Sequence, residues 1–417
     1  KALIGRDPGA FIDGMNTIVQ SNDPSHAPGL ITAMRFANAP QNYFDAALFS
    51  LTGEDKKGWF DWMLWQEAHP EIAPHPTYYP FKQDLFRRID PNFSVFIDTP
   101  FFTPDAAKIR IEEIAWGGVR KDGIPSLDNP ELMGAADADY LVDDDLVFGV
   151  SINGDTRAYP LRIMGWHEMF NEVIGGVPVA LAYCTLCGSG ILFETAVEGR
   201  EAPFVFGSSG FLYRSNKLMF DRETHTLWNQ FTGKPVIGEL ADTDLSLKQR
   251  PVVITTWGSW REKNPGTKVL TLNTGHRRDY GSGVVYRDYF GSPDLMFPTA
   301  TDEARLKQKD YVFGIRTTGA ARAWPVGAFE EMPVINDRVG GLDVVLVGDP
   351  EERTVRAYER GGRTFDDGLK ADGAAWTLTE DALLGPNGEI APRVAGHIAY
   401  WFAWDGYLGL QSSLYPD

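Results

Sequence analysis

The sequence predicts an α+β protein, predominantly β, in which two duplicated β-rich halves follow a helical N-terminal region. Apolar residues recur at helical spacing in the first part of the chain, and short strand-like runs alternate with glycine and Asn-Gly turn signals further on. One segment of the second kind occurs twice. These patterns divide the chain into a helical N-terminal region (1–110), a linker (111–139), a first β-rich repeat (140–300) and a second, degenerate β-rich repeat (301–417).

The charge and composition exclude several classes of protein. The chain of 417 residues has a net charge of −18, whereas binding to nucleic acid phosphates or to an anionic membrane requires clustered Lys and Arg. No apolar run is long enough to span a membrane. Two cysteines in so long a chain do not form a disulfide scaffold.

The same composition indicates a location. Few cysteines, an acidic chain and many Trp, Tyr and Gly residues are typical of a periplasmic or extracellular protein, and we expect a signal peptide to have been removed. The partner is expected to be a small molecule or a protein that the sequence does not identify. Formation of a homo-oligomer stays open.

The N-terminal region contains two segments with helical spacing, Ile31–Phe49 and Trp59–Ala68. Pro70 is predicted to end the second of them. His69 and His75 lie in the Pro-rich stretch H-P-E-I-A-P-H-P and are interpreted as loop histidines rather than ligands.

The first repeat begins with D-L-V-F-G-V-S-I-N-G-D-T-R-A-Y-P-L, which is typical of a hairpin with an Asn-Gly turn. A helix and a strand of the buried type follow it. The predicted elements, in order, are a strand at Val147–Ile152, a turn at Asn153-Gly154, a strand at Thr156–Pro160, a helix at Arg162–Ile174, and strands at Val177–Tyr183, Ile191–Ala196 and Phe204–Phe206.

The second repeat begins with Asp310–Val326, which matches Asp145–Leu161 at about half of its positions without a gap. The register continues, and a weaker match pairs the Trp257/Trp260 region with Trp401/Trp404. The shared residues are predicted to be scaffold: Gly149, Arg157, Pro160, Asn171 and Gly175.

The candidate reactive residues of the first repeat are not kept in the second. Residues that are needed only for folding should survive in both copies, so the chemistry is predicted to lie in the first. His167 falls on Met332, Glu168 on Pro333, Cys184 on Asp349 and Cys187 on Glu352.

The C-x-x-C-G turn at Cys184 and Cys187 is the centre of the predicted site. As a metal site, its thiolates would be joined by His167 in a Cys2His arrangement with an open position. Soft thiolates with imidazole favour copper, with zinc or no metal as alternatives. Two other interpretations stay open, a redox-active dithiol and a pair of cysteines that fill the core.

Three further residues are predicted to act as catalytic groups. Glu168 would orient the imidazole or serve as a base, and Tyr183 lies next to Cys184. Asp221 would act as a base or a further ligand, and the plainer interpretation is an Asp–Arg turn that holds two strands together. His225 is a candidate fourth ligand.

Four residues are predicted to bind a substrate. Trp228 and Gln230 follow Asp221, and Arg278 and Tyr280 lie in the loop G-H-R-R-D-Y-G, where they would bind an anionic group. Alternatively, the loop links the two halves by ion pairs. His397 lies in A-G-H-I-A-Y-W-F-A-W, which is predicted to be an apolar aromatic strand, and is interpreted as structural. The sequence has no G-x-S-x-G, H-E-x-x-H or Rossmann motif.

Three long motifs together resemble an uncharacterised bacterial family, domain of unknown function 3179. They are Y-P-L-x-I-x-x-W-H-E-x-x-N-x-x-I-G-G-x-P-V, then Y-C-x-L-C-G-S-G, then S-G-F-L-Y-x-S-N-x-L-M-F-D-R-x-T-x-x-L-W-x-Q. The resemblance implies no activity, and Thr185 departs from it where the family often has Pro. It implies that the signature positions are His167, Glu168, Asn171, Cys184, Cys187, Asp221, Trp228 and Gln230.

Together these observations predict a copper-binding periplasmic or extracellular protein with a Cys-x-x-Cys plus His site and oxidoreductase chemistry. The alternatives are a non-catalytic binding or scaffold protein of a cell-surface assembly with a structural disulfide, and a thiol–disulfide redox protein.

Overall fold

The structure, a computed structural model, describes residues 2–416 and confirms the predicted fold class. The predicted helix at Ile31–Phe49 is two helices, because the intervening residues include Pro40, which has no N–H to donate to a helix. Asp7 caps the first helix by accepting hydrogen bonds from the N–H groups of Gly9 and Ala10. The N-terminal helices are α1 (Pro8–Ser21), α2 (Ala27–Met34), α3 (Gln41–Thr52), α4 (Gly58–Ala68), α5 (Tyr78–Ile89) and α6 (Ser94–Ile97).

The β-rich body begins inside the segment that was predicted to be a linker, since that segment contains three strands paired to later ones. Four helices lie in the body: α7 (Leu161–His167), α8 (Trp257–Lys263), α9 (Arg287–Gly291) and α10 (Trp401–Leu408). Its strands up to residue 300 are β1 (Ile114–Trp116), β2 (Leu127–Asp128), β3 (Leu132–Gly134), β4 (Leu146–Ile152), β5 (Asp155–Pro160), β6 (Met169–Ile174), β7 (Val177–Cys184), β8 (Ser189–Glu194), β9 (Phe206–Tyr213), β10 (Asn216–Asp221), β11 (Leu227–Asn229), β12 (Lys234–Ile237), β13 (Gln249–Arg250), β14 (Val253–Thr256) and β15 (Lys268–Leu270).

The second half is shorter and repeats the opening order of elements, a hairpin followed by a helical turn and three strands. Its strands are β16 (Tyr311–Thr317), β17 (Ala320–Pro325), β18 (Val334–Val339), β19 (Leu342–Asp349), β20 (Thr354–Glu359), β21 (Lys370–Ala371), β22 (Ala374–Ala375), β23 (Thr377–Leu378), β24 (Ala382–Leu384), β25 (Ile390–Val394), β26 (His397–Tyr400) and β27 (Ser412–Leu414).

The sheets show the duplication directly. In the first half one sheet has the order β14-β4-β5-β15-β3 and another β13-β8-β7-β6-β2, while β1-β9-β10-β11-β12 forms a third. In the second half the corresponding sheets are β26-β16-β17-β27 and β18-β19-β20-β25-β24-β23. In both halves a strand that comes late in the chain runs parallel to the second strand of the opening hairpin, β15 beside β5 in the first half and β27 beside β17 in the second.

Side-chain contacts repeat with the strands. Arg157 pairs with Glu172 at 2.7 Å, and the corresponding Arg322 pairs with Asp337 at the same distance. Likewise, the Asn171 carboxamide exchanges hydrogen bonds with the backbone of Phe206 in the first half. Asn336 makes the same two hydrogen bonds with the backbone of Phe365 in the second.

The predicted helix at Arg162–Ile174 is wrong in its second half, where the chain forms β6. Helix α7 ends at His167 because Glu168 adopts a left-handed conformation (φ 55°) while its N–H bonds to the carbonyl of Met164. Two glycines with positive φ, Gly175 and Gly176, then turn β6 into β7.

Two other predicted strands have different bounds. The strand at Phe204–Phe206 begins at Phe206 and runs to Tyr213, and the aromatic stretch after His397 forms a strand only to Tyr400 before α10 begins.

The two halves share one hydrophobic core. Phe148 and Tyr183 of the first half lie in the same buried cluster as Phe313, Trp324 and Ile398 of the second. No helix within residues 2–416 combines the length and apolar character needed to cross a bilayer.

Candidate functional site

The C-x-x-C turn joins β7 to β8, and its two cysteines form a disulfide. The turn is closed by hydrogen bonds from the N–H of Cys187 to the carbonyl of Cys184 (3.2 Å) and from Gly188 to Thr185 (3.2 Å). Cys184 is 3% exposed and Cys187 is fully buried. The disulfide is therefore inaccessible to a protein partner in this conformation.

The second half of the body covers this turn. The N–H of Tyr400 donates to the carbonyl of Cys187 at 2.8 Å, and the rings of Tyr289, Tyr400 and Phe402 pack around the sulfurs. Gly188 has φ 60°, and a Cβ there would lie 3.0–3.2 Å from the rings of Tyr311 and Tyr400. The disulfide turn is thus one of the contacts between the two halves.

A buried ion pair lies beside the turn. Glu168 accepts hydrogen bonds from Lys217 Nζ at 3.0 Å and from Thr185 Oγ1 at 2.7 Å, and both members of the ion pair are less than a tenth exposed. Lys217 was not predicted. The signal in the sequence was a lysine placed between Asn216 and the apolar run L-M-F. Every residue of this strand is buried, so the charge of such a lysine requires a buried partner.

His167 is the last residue of α7. Its Nδ1 is 2.9 Å from the carbonyl oxygen of Pro125, which can only accept, so Nδ1 donates. Its Nε2 therefore accepts from the hydroxyl of Tyr280 at 2.6 Å. Burial lowers the pKa of His167 to about 4, so the ring is neutral at pH 7.

The three predicted metal ligands are not gathered around one point. The sulfurs of Cys184 and Cys187 are bonded to each other, and both nitrogens of His167 are engaged elsewhere. In the described part of the chain, the three metal-binding side chains whose ligand atoms all lie within 4.8 Å of one another are Asp23, His26 and His75. Copper binding stays a prediction for the reduced thiols.

Asp221 has the geometry of a turn residue. It is fully buried and accepts hydrogen bonds from the N–H of Thr224 at 2.7 Å and from the indole of Trp228 at 3.0 Å. Gln230 is also buried and donates to the carbonyl of Ala182, so it holds the hairpin that carries the cysteines. His225 lies in the same turn with φ 57°. These contacts fit the interpretation of Asp221 as a turn residue that holds two strands together.

A cavity of about 710 Å³ lies next to the disulfide turn, between the two halves. Tyr183, one of the predicted catalytic residues, is among the residues that line it. Burial raises the pKa of Tyr183, so its hydroxyl keeps its proton. The charged residues of the wall are Asp144, Asp145, Arg162, Lys309 and Arg353, and the second half adds Tyr311 and Tyr400.

Arg353 differs from the other cations of this wall. Arg162 pairs with Asp145 at 3.0 Å, and Lys309 donates to two backbone carbonyls. The guanidinium of Arg353 lies 4.1 Å from the ring centroid of Tyr311 and forms no ion pair with any residue of 2–416. The repeat places it at the position of Gly188, and it too has a positive φ, 54°. The duplication could have identified it as the one charged substitution for a turn glycine.

The predicted substrate-binding residues Arg278 and Tyr280 lie on the loop above His167, not in the cavity wall. Arg278 is 5.8 Å from the ring centroid of Trp166, and the Tyr280 hydroxyl is held between His167 and Thr274. Trp228 and Gln230 are fully buried and do not reach the cavity either.

Comparisons with known proteins give a family but no activity. A family model described as a protein of unknown function (DUF3179) matches residues 121–410. No curated protein and no solved structure matches the chain.

Proposed function

Because the chain belongs to the DUF3179 family of proteins of unknown function, we propose on its geometry alone that it is a binding protein. Its ligand is a small anionic molecule held in the cavity between the two halves. The Cys184–Cys187 disulfide is structural and fixes one wall of that cavity.

The observation that carries this proposal is the unpaired guanidinium of Arg353 at the cavity. A planar guanidinium presents a rigid fork of N–H donors that matches a carboxylate or phosphate, and such hydrogen bonds are strong where water is excluded. Stacking on Tyr311 holds this fork in place without neutralising it. The partner that it lacks in the protein is supplied by the ligand.

The remaining wall indicates the body of the ligand. Tyr183, Tyr311 and Tyr400 contribute aromatic surface, and a cavity of about 710 Å³ is within the range of small-molecule sites. An acid with an aromatic or apolar body would use both features. Asp144 and Asp145 select against a second negative charge on that side of the cavity.

The disulfide fits a structural role better than an exchange role. Reactive dithiols lie partly exposed in an electropositive setting such as a helix N-terminus, whereas this pair lies in a hairpin turn under aromatic rings. A structural disulfide also supports a periplasmic or extracellular location, since it persists in an oxidising compartment.

Titration calorimetry with a panel of aromatic and aliphatic carboxylates, each matched by its amide, tests the proposal. We expect at least one carboxylate to bind while its amide does not, and Arg353→Gln to weaken that binding by about tenfold or more, the worth of a charge-assisted pair. Arg277→Gln, on the exposed loop, is the control. Equal affinity in both variants would refute the proposed site.

Copper binding is a second candidate. Supporting it, the two cysteines lie in one turn with Cα atoms 5.2 Å apart, so reduction would leave two soft donors in one place. Two electrons and two protons, supplied by a dithiol reductant, convert the disulfide to two thiols. Loss of their protons then gives the thiolates that bind Cu(I).

Anaerobic titration of the reduced protein with Cu(I) against a chelator tests this candidate. One ion per chain is expected, with loss of binding in Cys184→Ser. A weaker loss in His167→Gln would mean that the imidazole turns toward the sulfurs on reduction. Binding by the reduced protein no tighter than by Cys184→Ser would exclude the candidate.

A further inference from the structure

The N-terminal region contains two histidines and a carboxylate that the sequence pattern did not bring together. Asp23 and His26 lie between α1 and α2, and His75 lies between α4 and α5. The N–H of His75 donates to the carbonyl of Ser25 at 2.8 Å, which joins the two loops. The cluster lies outside residues 121–410, so it belongs to the part of the chain that the family model does not match.

The three side chains lie close enough together to reach one ion. Each offers a ligand atom, and these atoms all lie within 4.8 Å of one another. The two imidazoles are stacked, with ring centroids 4.3 Å apart and planes at 28°. Protonation of both rings would place two positive charges at close range, which is unfavourable. Because the lone pairs of an imidazole lie in its ring plane, one of the two rings turns out of the stack when both bind the same ion.

The surroundings orient the ligands. Nδ1 of His75 lies 2.8 Å from Thr77 Oγ1 and accepts from the backbone N–H of Thr77 at 3.3 Å, so Thr77 fixes the orientation of the ring. One Asp23 oxygen accepts from the N–H of Ser25 at 2.9 Å, which fixes the carboxylate. The ring of His26 makes no hydrogen bond with a residue of 2–416 and is free to bind.

A second cavity opens at this cluster, with a volume of about 460 Å³. Its walls are largely apolar, and both histidines contribute to them. Other lining residues are Leu3, Ile18, Tyr78 and Phe81. A ligand atom in this cavity could approach an ion bound by the three side chains.

We propose that Asp23, His26 and His75 bind a divalent transition-metal ion, with zinc as the best match, and leave a coordination position open toward the second cavity. Two imidazoles and one carboxylate are a known ligand set for zinc sites that keep an open position. The site is separate from the cavity beside Arg353 and from the cysteines.

Zinc titration of the full chain tests the site, after chelator treatment and without reductant so that the disulfide stays intact. We expect one zinc ion per chain, and a d–d absorption band when Co(II) replaces zinc. His26→Gln and His75→Gln should each weaken zinc binding by about tenfold or more. Asp23→Asn should weaken it as well while keeping the oxygen that accepts from Ser25.

Two controls separate this proposal from the others. His69→Asn removes a histidine of the same region that is outside the cluster, and Cys184→Ala/Cys187→Ala removes the sulfurs; zinc affinity should be unchanged in both. Zinc should raise the Tm of the native protein but not of His26→Gln, and the circular dichroism of the apo forms should agree. Zinc affinity equal in the native protein, His26→Gln and His75→Gln would overturn the proposal, as would retention of the Co(II) band in those variants.

Discussion

At the scale of single residues, Lys217 carries the charge that makes the burial of Glu168 possible. The two lie 3.0 Å apart beside the disulfide turn. Lys217→Met leaves a buried carboxylate without its cation, and we expect it to lower the free energy of unfolding by about 3–5 kcal/mol. Urea denaturation at pH 7 measures this. Lys234→Met, on the exposed end of β12, should change it little, and a loss for Lys217→Met as small as that of the control would contradict the pairing.

The buried carboxyl of Glu67 is predicted to make the stability of the protein depend on pH. Burial raises its pKa to about 7, and one of its oxygens accepts from the N–H of Ala300 at 2.9 Å. A folded-state pKa above the unfolded one favours folding at low pH, and this contribution is lost as the pH rises from about 4.5 through 7. The free energy of unfolding should therefore fall by roughly 3 kcal/mol over that range relative to Glu67→Gln. Parallel pH curves for the two proteins would show that the carboxyl is not perturbed.

The contacts of a single side chain could be predicted from the sequence where its partner lies close to it along the chain. Cys184 and Cys187 are three positions apart, so their meeting required no knowledge of the fold. Lys217 and Arg353 were missed because their neighbours come from distant strands. The direction of the His167 ring, toward Pro125 and Tyr280, is set by packing of a loop more than a hundred residues away, which no local pattern contains.

At the scale of elements, two glycines test the duplication. A Cβ at Gly149 would lie 2.3 Å from the ring of Trp260, and one at Gly314 would lie 1.8 Å from the ring of Trp404. Because buried tryptophans cannot move aside cheaply, Gly149→Ala and Gly314→Ala should each destabilise by about 1–3 kcal/mol or more. Gly266→Ala, where the added methyl meets nothing within 4 Å, is the control for thermal unfolding. A clear loss in one half alone would mean that the two contacts are not equivalent.

The Cys184–Cys187 disulfide is predicted to stabilise the turn between β7 and β8. The closed loop is short, so the chain-entropy model gives about 2 kcal/mol for the crosslink. The free energy of unfolding of Cys184→Ala/Cys187→Ala should fall by about that amount. It should fall further because removal of the sulfurs leaves a cavity among the rings of Tyr289, Tyr400 and Phe402. Denaturant unfolding with and without reductant separates the two contributions. If reduction of the native protein left its stability unchanged, the turn would not depend on the crosslink.

Elements were predicted well where one pattern lasted from end to end. The hairpin of β4 and β5 and the helix α4 are examples, because alternation or helical spacing is unbroken in each. The segment Arg162–Ile174 failed because apolar residues at helical spacing continue across Glu168, while the left-handed conformation at that residue changes helix to strand. Burial of β6 on both faces then removes the alternation that would have marked a strand.

At the scale of the whole molecule, the duplication predicted two halves but not how closely they depend on each other. Their shared core and the bond from Tyr400 to the turn of Cys187 make each half incomplete without the other. The N-terminal helices α1–α4 depend less on the rest of the molecule, because they enclose a hydrophobic cluster of their own around Leu30, Phe44 and Trp62. Helix α5 instead packs on the body, where the rings of Phe86 and Phe211 stack with centroids 4.8 Å apart.

We therefore expect the two halves to unfold as one cooperative unit. Native-state hydrogen exchange should give the same opening free energy for β7 and for its counterpart β19, because exposing either strand opens the common core. Amides of α2 and α3, whose cluster is separate, provide an internal comparison and should show an independent opening free energy. A chain ending at residue 300 lacks Tyr400 and Phe402, so it should leave the disulfide uncovered and should not unfold cooperatively. Opening of β19 at a free energy well below that of β7 would instead mean that the second repeat folds on an already stable first repeat, and the cavity between them would then be formed only part of the time.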